Sequence, residues 1–258
     1  MTWTIYDQLI DGVPEDVQVI DYCLGKNWSY VEAESAMGVS FTCSGGTKPT
    51  DNRDFRQLPL REMAKLSKSW CFEEATLGIA ALNAWYGQKH LIDKMGATYD
   101  KPIELPDGSI HKIDAFEIMR PRIEQTENAE VVVVGHFPHV DRILEYANLT
   151  VLERNCRSEL DTPDPACEYV LPNANFAFIT GVTLENKTCP RLLELACNAH
   201  VTMVGPSVVM SQVLMDAGVN MLAGSIVLDP ERARQSVKSG GAMSFGGALQ
   251  MVSAEKLQ

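Results

Sequence analysis

Three short stretches of this chain carry residue types that could do chemistry. The first runs from Glu130 to Asn155, EVVVVGHFPHVDRILEYANLTVLERN. It sets Gly135, His136, Phe137 and Pro138 in a turn after four valines, and Glu153, Arg154 and Asn155 at the end of the next apolar segment. A glycine turn between a strand and a helix presents backbone N–H groups to an anion. An acid at the end of the following strand suits a ribose or another diol. The second stretch, Thr180-Gly181-Val182-Thr183 with Asn186-Lys187-Thr188, gathers hydroxyls, an amide and an amine beside a helix start. Such a group could hold a carboxylate or phosphate and orient a substrate. The third, Gly205-Pro206-Ser207, is a tight loop at another strand end. His136 and Lys187 are the candidate polar reactants, since imidazole and amine side chains suit acid–base work near neutral pH.

Each stretch also has a plainer reading. The glycine turn could simply connect a strand to a helix, and Glu153 could sit exposed at a strand end. Thr180, Thr183 and Asn186 are favoured at helix starts for capping alone. Gly205-Pro206-Ser207 could border a pocket or touch a ligand. Ser207 lacks the G-x-S-x-G setting of a hydrolase nucleophile. Ser44-Gly45-Gly46-Thr47-Lys48 lacks the spacing of a phosphate-binding P-loop and reads as a β-turn. His136 and His139 are spaced to approach one metal, with Glu153 and Cys156 as further donors only if two strand ends converge. A His pair without fixed partners is usually not a metal site. No protein-held or structural metal is therefore expected.

The elements that must position these groups fall into two patterns. In the first, helix Thr2–Ile10 precedes strands Val17–Leu24, Trp28–Ala33 and Gly38–Cys43, and helices Leu60–Leu66 and Glu73–Tyr86 follow. Ala75, Gly78 and Ala81 in the last helix predict close packing on a sheet. Strands followed by helices indicate α+β. Pro102, Pro106, Asp107 and Gly108 then break the pattern, which places a linker over residues 97–112 between domains 1–96 and 113–258. A linking helix over Asp114–Arg120 is expected next.

In the second pattern strand and helix alternate. Four consecutive valines, Val131 to Val134, mark a strand buried on both faces. Pro138 is expected at the first position of an amphipathic helix carrying Val140, Ile143, Leu144 and Ala147. Strands follow at Leu149–Leu152, Phe176–Thr180, Val201–Val204 and around Gly224. Helices are expected over Arg191–Ala199, before Gly218, and from Asp229-Pro230 to Gly240-Gly241. Alternation of this kind gives a parallel, doubly wound sheet whose ligands lie beyond the carboxyl ends of the strands. The tail around Met243 and Phe245 reads as a flexible terminus or a mobile lid.

Composition narrows the partners. The formal charge of −12 disfavours nucleic acid, which needs a basic face. Seven dispersed cysteines without C-x-x-C point to reduced thiols and a cytoplasmic setting. No segment approaches the apolar length of a membrane span, and the N-terminus has no signal-peptide pattern.

Five motifs in order, VVGHFP (Val133–Pro138), LERN (Leu152–Asn155), DTPDPACEYVLP (Asp161–Pro172), ITGVTLENKT (Ile179–Thr188) and VGPS (Val204–Ser207), resemble the putative heavy-metal chelation family of bacteria and archaea. Cys156 stands where that pattern has Pro. The resemblance implies an enolase-N-like first domain and a Rossmann-like second domain. The fold class expected is therefore α/β, a small α+β domain followed by a doubly wound parallel sheet. It also implies metal homeostasis or chemistry of flavins, pterins or metal-chelating small molecules. Two functional readings follow. One is an enzyme performing condensation, hydrolysis or group transfer on a nucleotide-like, pterin-like or chelator-like ligand in an interdomain cleft. The other is a non-catalytic binder or carrier of a metal chelate. The partners expected are a small-molecule substrate or a metal chelate, with a homodimer as an option.

Overall fold

The computed structural model describes residues 3–101, 103–104, 110–111, 114–241 and 245–256. Its first elements are helix α1 (Thr4–Asp11) and strands β1 (Val19–Cys23), β2 (Trp28–Ala33) and β3 (Met37–Phe41). The three strands form an antiparallel sheet in the order β1-β2-β3. Helix α2 (Leu60–Ala64) passes into a 3-10 turn, Lys65–Lys68, and α3 (Phe72–Tyr86) follows. Small and apolar residues surround α3 on nearly every side, and Ala75 and Ile79 to Ala84 are all buried. A helix apolar all round must be enclosed. It lies against β2 and β3. Gly78 does not serve that helix–sheet approach. A Cβ there would stand 2.0 Å from the Ser67 backbone nitrogen, so its missing side chain admits the 3-10 turn.

Helix α4 (Lys89–Lys94) precedes β4 (Thr98–Tyr99) and a short hairpin, β5 (Ile103–Glu104) with β6 (Ile110–His111). Pro106, Asp107 and Gly108 lie outside the described residues. Helix α5 (Ala115–Glu124) is capped by the Asp114 side chain and runs on past Pro121. Beyond it, β7 (Glu130–Val134), β8 (Asn148–Glu153), β9 (Asp161–Pro163), β10 (Phe176–Thr180), β11 (His200–Val204), β12 (Met221–Val227) and β13 (Leu249–Glu255) enter an eight-stranded sheet with β4. Short helices α6 (Cys167–Val170), α7 (Cys189–Leu195) and α8 (Gln212–Asp216) and the longer α9 (Pro230–Lys238) connect them.

The strand order is β4-β13-β12-β11-β10-β7-β8-β9. Every pair from β12 to β9 is parallel, and β13 runs antiparallel to both of its neighbours, β12 and β4. Chain order therefore reverses between β7 and β10, the place where open α/β sheets bind ligands. The four valines explain the layering. Val131 and Val133 pack with Phe116, Met119 and Ile123 of α5 on one face. Val132 and Val134 belong to a core that also holds Tyr6, Leu9, Ile79 and Leu82 from the first half of the chain. That face of the large sheet thus shares one core with the first half and with α7 and α8.

Two expectations are corrected here. The segment after Pro138 is not an α-helix. His139 adopts a left-handed conformation, φ 61°, and a 3-10 turn follows over Val140–Glu145. Val140 and Ile143 are buried while Leu144 is 53% exposed, because 3-10 geometry does not align all the apolar positions that 3.6-residue periodicity would. The tail is not a free end. Phe245 is buried against Trp28, 4.9 Å between ring centroids, and β13 pairs along β12. Residues 242–244 lie outside the described set.

Candidate functional site

The carboxyl ends of β8, β7, β10 and β11, with Ala223 and Gly224 of β12, open into one cavity of about 1420 Å³. Gly135 to Pro138, Glu153 to Asn155, Thr180, Thr183, Asn186 and Gly205 to Ser207 line it, joined by Trp28 and Phe41 from the first half. Gly181 and Lys187 are not among its lining residues.

On the β7–β8–β9 side, carboxylates hold the loops in place. One oxygen of Glu153 accepts the backbone N–H of His136 at 3.1 Å. The other accepts the N–H groups of Arg154 and Asn155 at 2.8 and 3.1 Å. The turn that could cradle an external anion already faces an internal one. With no helix behind Pro138, the helix-terminus contribution to anion binding is absent. Asp161, at the start of β9, is the partner the sequence reading did not assign. Its carboxylate side chain is 1% exposed and lies 2.8 Å from His136 Nδ1. Its other oxygen accepts the N–H groups of Arg157 and Ser158 at 2.7 and 2.8 Å. The Arg157 N–H, and with it the His136 ring, holds this carboxyl below the usual aspartate range against the opposing pull of burial. An anionic Asp161 takes a proton-bearing Nδ1, so in the neutral ring Nε2 is the acceptor. Arg154 pairs with Asp164 at 3.0 Å. Phe137 meets Phe116 edge to face at 5.6 Å.

The β10 and β11 loops are built by close backbone approach. A Cβ on Gly181 would stand 2.5 Å from the Val208 nitrogen. Glycine there packs the two strand ends together, which is a structural placement beside the cavity. Thr183 donates to the Thr180 carbonyl at 2.7 Å. The Asn186 side-chain oxygen Oδ1 accepts from the Thr188 backbone N–H and hydroxyl at 3.1 and 2.6 Å. Lys187 sits behind this wall. It is buried, takes a left-handed φ of 70°, donates to the Glu185 carbonyl and lies 5.8 Å over the Tyr6 ring. Burial pushes its amine down to about 8. Ser207 accepts the Phe41 N–H at 2.9 Å, and Pro206 offers its carbonyl to Asn83 at 3.4 Å. These contacts fix β3 and α3 against the β11 loop.

Among the described residues no group of three or more His, Cys, Asp or Glu side chains is placed to hold a metal ion. The donors His136, His139, Glu153 and Cys156 do not converge as a set. His136 Nδ1 is engaged with Asp161, Glu153 is spent on backbone N–H groups, and the Cys156 thiol faces the Glu153 carbonyl at 3.5 Å. All seven cysteines are free thiols. No helix among the described residues is long and apolar enough to cross a membrane.

A small antiparallel sheet and a larger, mostly parallel sheet with a cavity at its carboxyl edge define a mixed α/β protein. The chain belongs to the putative heavy-metal chelation family. Residues 114–251 match the family model DUF364 and residues 6–86 match DUF4213, both described as putative heavy-metal chelation. An uncharacterized protein of Methanocaldococcus jannaschii is 27% identical over 261 residues, covering 96% of this chain and 93% of its own. A crystal structure of a DUF364 protein of unknown function from Desulfitobacterium hafniense is 32% identical, with a TM-score of 0.82 and 98% of each chain covered. A second, from Pyrococcus horikoshii, shares the fold at 24% identity, TM-score 0.81 and 98% coverage of each chain.

Proposed function

We propose that this protein binds a small organic molecule in the cavity and acts on it. The reaction would be a condensation, hydrolysis or group transfer on a pterin-, flavin- or chelator-like compound linked to heavy-metal handling. The reading treats residues 1–96 as an enolase-N-like cap, 97–112 as a linker and 113–258 as a Rossmann-like domain, with the cavity as their cleft. The observation that carries it is the convergence of four neighbouring strand ends, β8, β7, β10 and β11, on one cavity at the reversal of strand order. Ligand sites are concave, mainly apolar and furnished with a few placed polar groups. Phe41, Trp28 and Phe137 supply flat apolar surface, and His136 held by Asp161 supplies a base.

The test is mass spectrometry of gently purified protein, followed by calorimetry with the compound recovered. Glu153→Ala is expected to weaken binding by about 1–3 kcal/mol, through loss of a buried hydrogen bond to the ligand or of the loop that Glu153 holds. His136→Asn is expected to spare binding and abolish turnover. Turnover unchanged in His136→Asn would leave the carrier of a metal chelate as the surviving reading. A cavity that takes up no small molecule from cell extract would overturn both.

A further inference from the structure

On the β7–β8–β9 side of the cavity, charged groups divide by whether the fold has already used them. Glu153 and Asp161 spend their carboxylate oxygens on backbone N–H groups and on the His136 ring. Arg154 is paired with Asp164, and Arg191 with Glu168 and Glu194. Arg157 is different. It lines the cavity and is exposed, and its guanidinium has no hydrogen bond or ion pair among the described residues. Its backbone is nonetheless fixed, since its N–H donates to Asp161 at 2.7 Å.

That bond gives Arg157 its place. One oxygen of Asp161 lies 2.8 Å from His136 Nδ1, and the other accepts the Arg157 N–H. A single buried carboxylate therefore sets the candidate base and the arginine on two adjoining loops, after β7 and after β8. Asn186, in the β10 loop, extends the row. A backbone N–H meets only the oxygen of an amide, so the Thr188 N–H orients the Asn186 side chain and leaves Nδ2 as an unspent donor. β10, β7 and β8 are neighbours in the sheet. An amide, an imidazole and a guanidinium thus follow one another across the reversal of strand order. The nearby acids, Glu153 and Asp161, are spent, while these donors are not. The chain as a whole is acidic, with a formal charge of −12, so its overall field does not gather anions. An anion in this cavity would be held by these local groups.

We propose that Arg157 is the anion-binding residue of the cavity and takes a carboxylate or phosphate group of the ligand beside His136. This rests on the reading of the cavity as a small-molecule site, and it narrows the ligand to an organic acid or a phosphate ester. A guanidinium presents a planar fork of N–H donors that matches two oxygens of either group. Asn186 Nδ2 supplies a further donor from the β10 side. With the anion anchored there, the adjoining part of the ligand lies against His136 and Phe137. Asp161 is a positioning residue, because it touches no ligand and holds both loops.

Nitrogen-15 NMR of the full-length protein tests this with two probes, inorganic phosphate and glutarate, at an ionic strength held constant with chloride. The Arg157 side-chain N–H signal, assigned by its loss in Arg157→Gln, is expected to shift and saturate with at least one probe. The His136 ring signals should move with it. The probe that saturates separates a phosphate-bearing from a carboxylate-bearing ligand, and saturation by both supports the oxyanion chemistry they share. Affinity followed at the His136 ring should fall by about tenfold or more in Arg157→Gln, through loss of a charge-assisted hydrogen bond. It should fall less in Arg157→Lys, which keeps the charge without the fork. Both variants are expected to fold, because the bond to Asp161 is made by the backbone and survives the exchange. Arg157 signals unmoved by either probe at about 50 mM, or equal affinity in Arg157→Gln, would overturn the assignment. A protein that yields a bound neutral compound but ignores both anions would remove this assignment and leave the cavity reading standing. Anions bound at Arg157 with no compound recovered from cell extract would do the reverse.

Discussion

Two glutamates, one on each side of the cavity wall, show how differently the same side chain can be held. Glu153 ends β8 beside solvent, and its oxygens collect three backbone N–H groups within their own loops. Glu185 is enclosed, and its partners are side-chain hydroxyls drawn from two separate elements, β3 and α3. The first arrangement is local and fixes a turn. The second joins distant segments and places a titratable group where water cannot compensate it. Burial therefore dominates at Glu185 and sets both its proton and its cost. Lys187, two residues on, shares that environment, and its amine is pushed the opposite way by the same cause.

The comparison is broken most sharply by truncation on the buried side. Glu185→Ala is expected to destabilise the protein by about 2–5 kcal/mol, through the cavity left and the hydroxyls stranded. Urea denaturation at neutral pH measures it, and a change below about 1 kcal/mol would show that the cluster is not closed to water.

The pH dependence of stability should carry the same signature. Glu185 rises from 4.5 to about 8 on folding, so between those values the folded state holds more protons than the unfolded state. Its contribution is complete below about 4.5 and is lost as pH rises through about 8. Lys187 falls from 10.5 to about 8, so between those values the unfolded state holds more protons, and stability recovers as pH rises across that window. The pair thus gives a trough near pH 8. Glu185→Gln is expected to flatten the acid limb and Lys187→Met the alkaline limb in denaturation series. Two unchanged limbs would mean that the groups are hydrated.

A smaller effect is expected where only backbone contact is at stake. Gly181→Ala forces a Cβ to within 2.5 Å of the Val208 nitrogen and should cost about 1–3 kcal/mol by overpacking. Asp161→Ala should release the His136 ring and leave the Arg157 and Ser158 N–H groups without their acceptor, at a cost of about 1–2 kcal/mol. The slowly exchanging Nδ1 proton signal of His136 is expected to vanish from the NMR spectrum, and its persistence would assign the ring another partner. Smallest of all, Arg154→Ala removes an exposed pair with Asp164 and should shift stability by about 0–1 kcal/mol. A larger loss would mean that the loop, like the Glu185 cluster, is held by more than surface charge.

Much of the fold was legible because local patterns and tertiary environment agree. Trp28–Ala33 and Phe176–Thr180 occupy the spans expected of them, since apolar runs bounded by turn residues have few other uses. The valine run announced a strand buried on both faces, and Val131 to Val134 divide between two cores. Asp229 caps its helix as the Asp-Pro pair indicates. The strand-end residues of the cavity were also readable, because alternating strands and helices place every strand's carboxyl end on one edge of the sheet.

What the sequence did not decide rests on contacts between segments far apart in the chain. Leu249–Glu255 carries no strong strand signal, yet it becomes β13 because the β12 edge offers it a ladder. Asp161 stood only as the first residue of the DTPDPACEYVLP motif and became the partner of His136 when β9 paired beside β8. Lys187 read as a reactive amine beside a helix start. The approach of Tyr6, 181 residues earlier in the chain, covers it and turns it away from the cavity. Glu185 carries no local sign of its burial, since Ser40 and Thr76 reach it from separate elements. A side chain's chemistry follows from its own covalent structure, but its proton affinity and reach depend on which distant groups exclude water around it, and only the assembled fold fixes those.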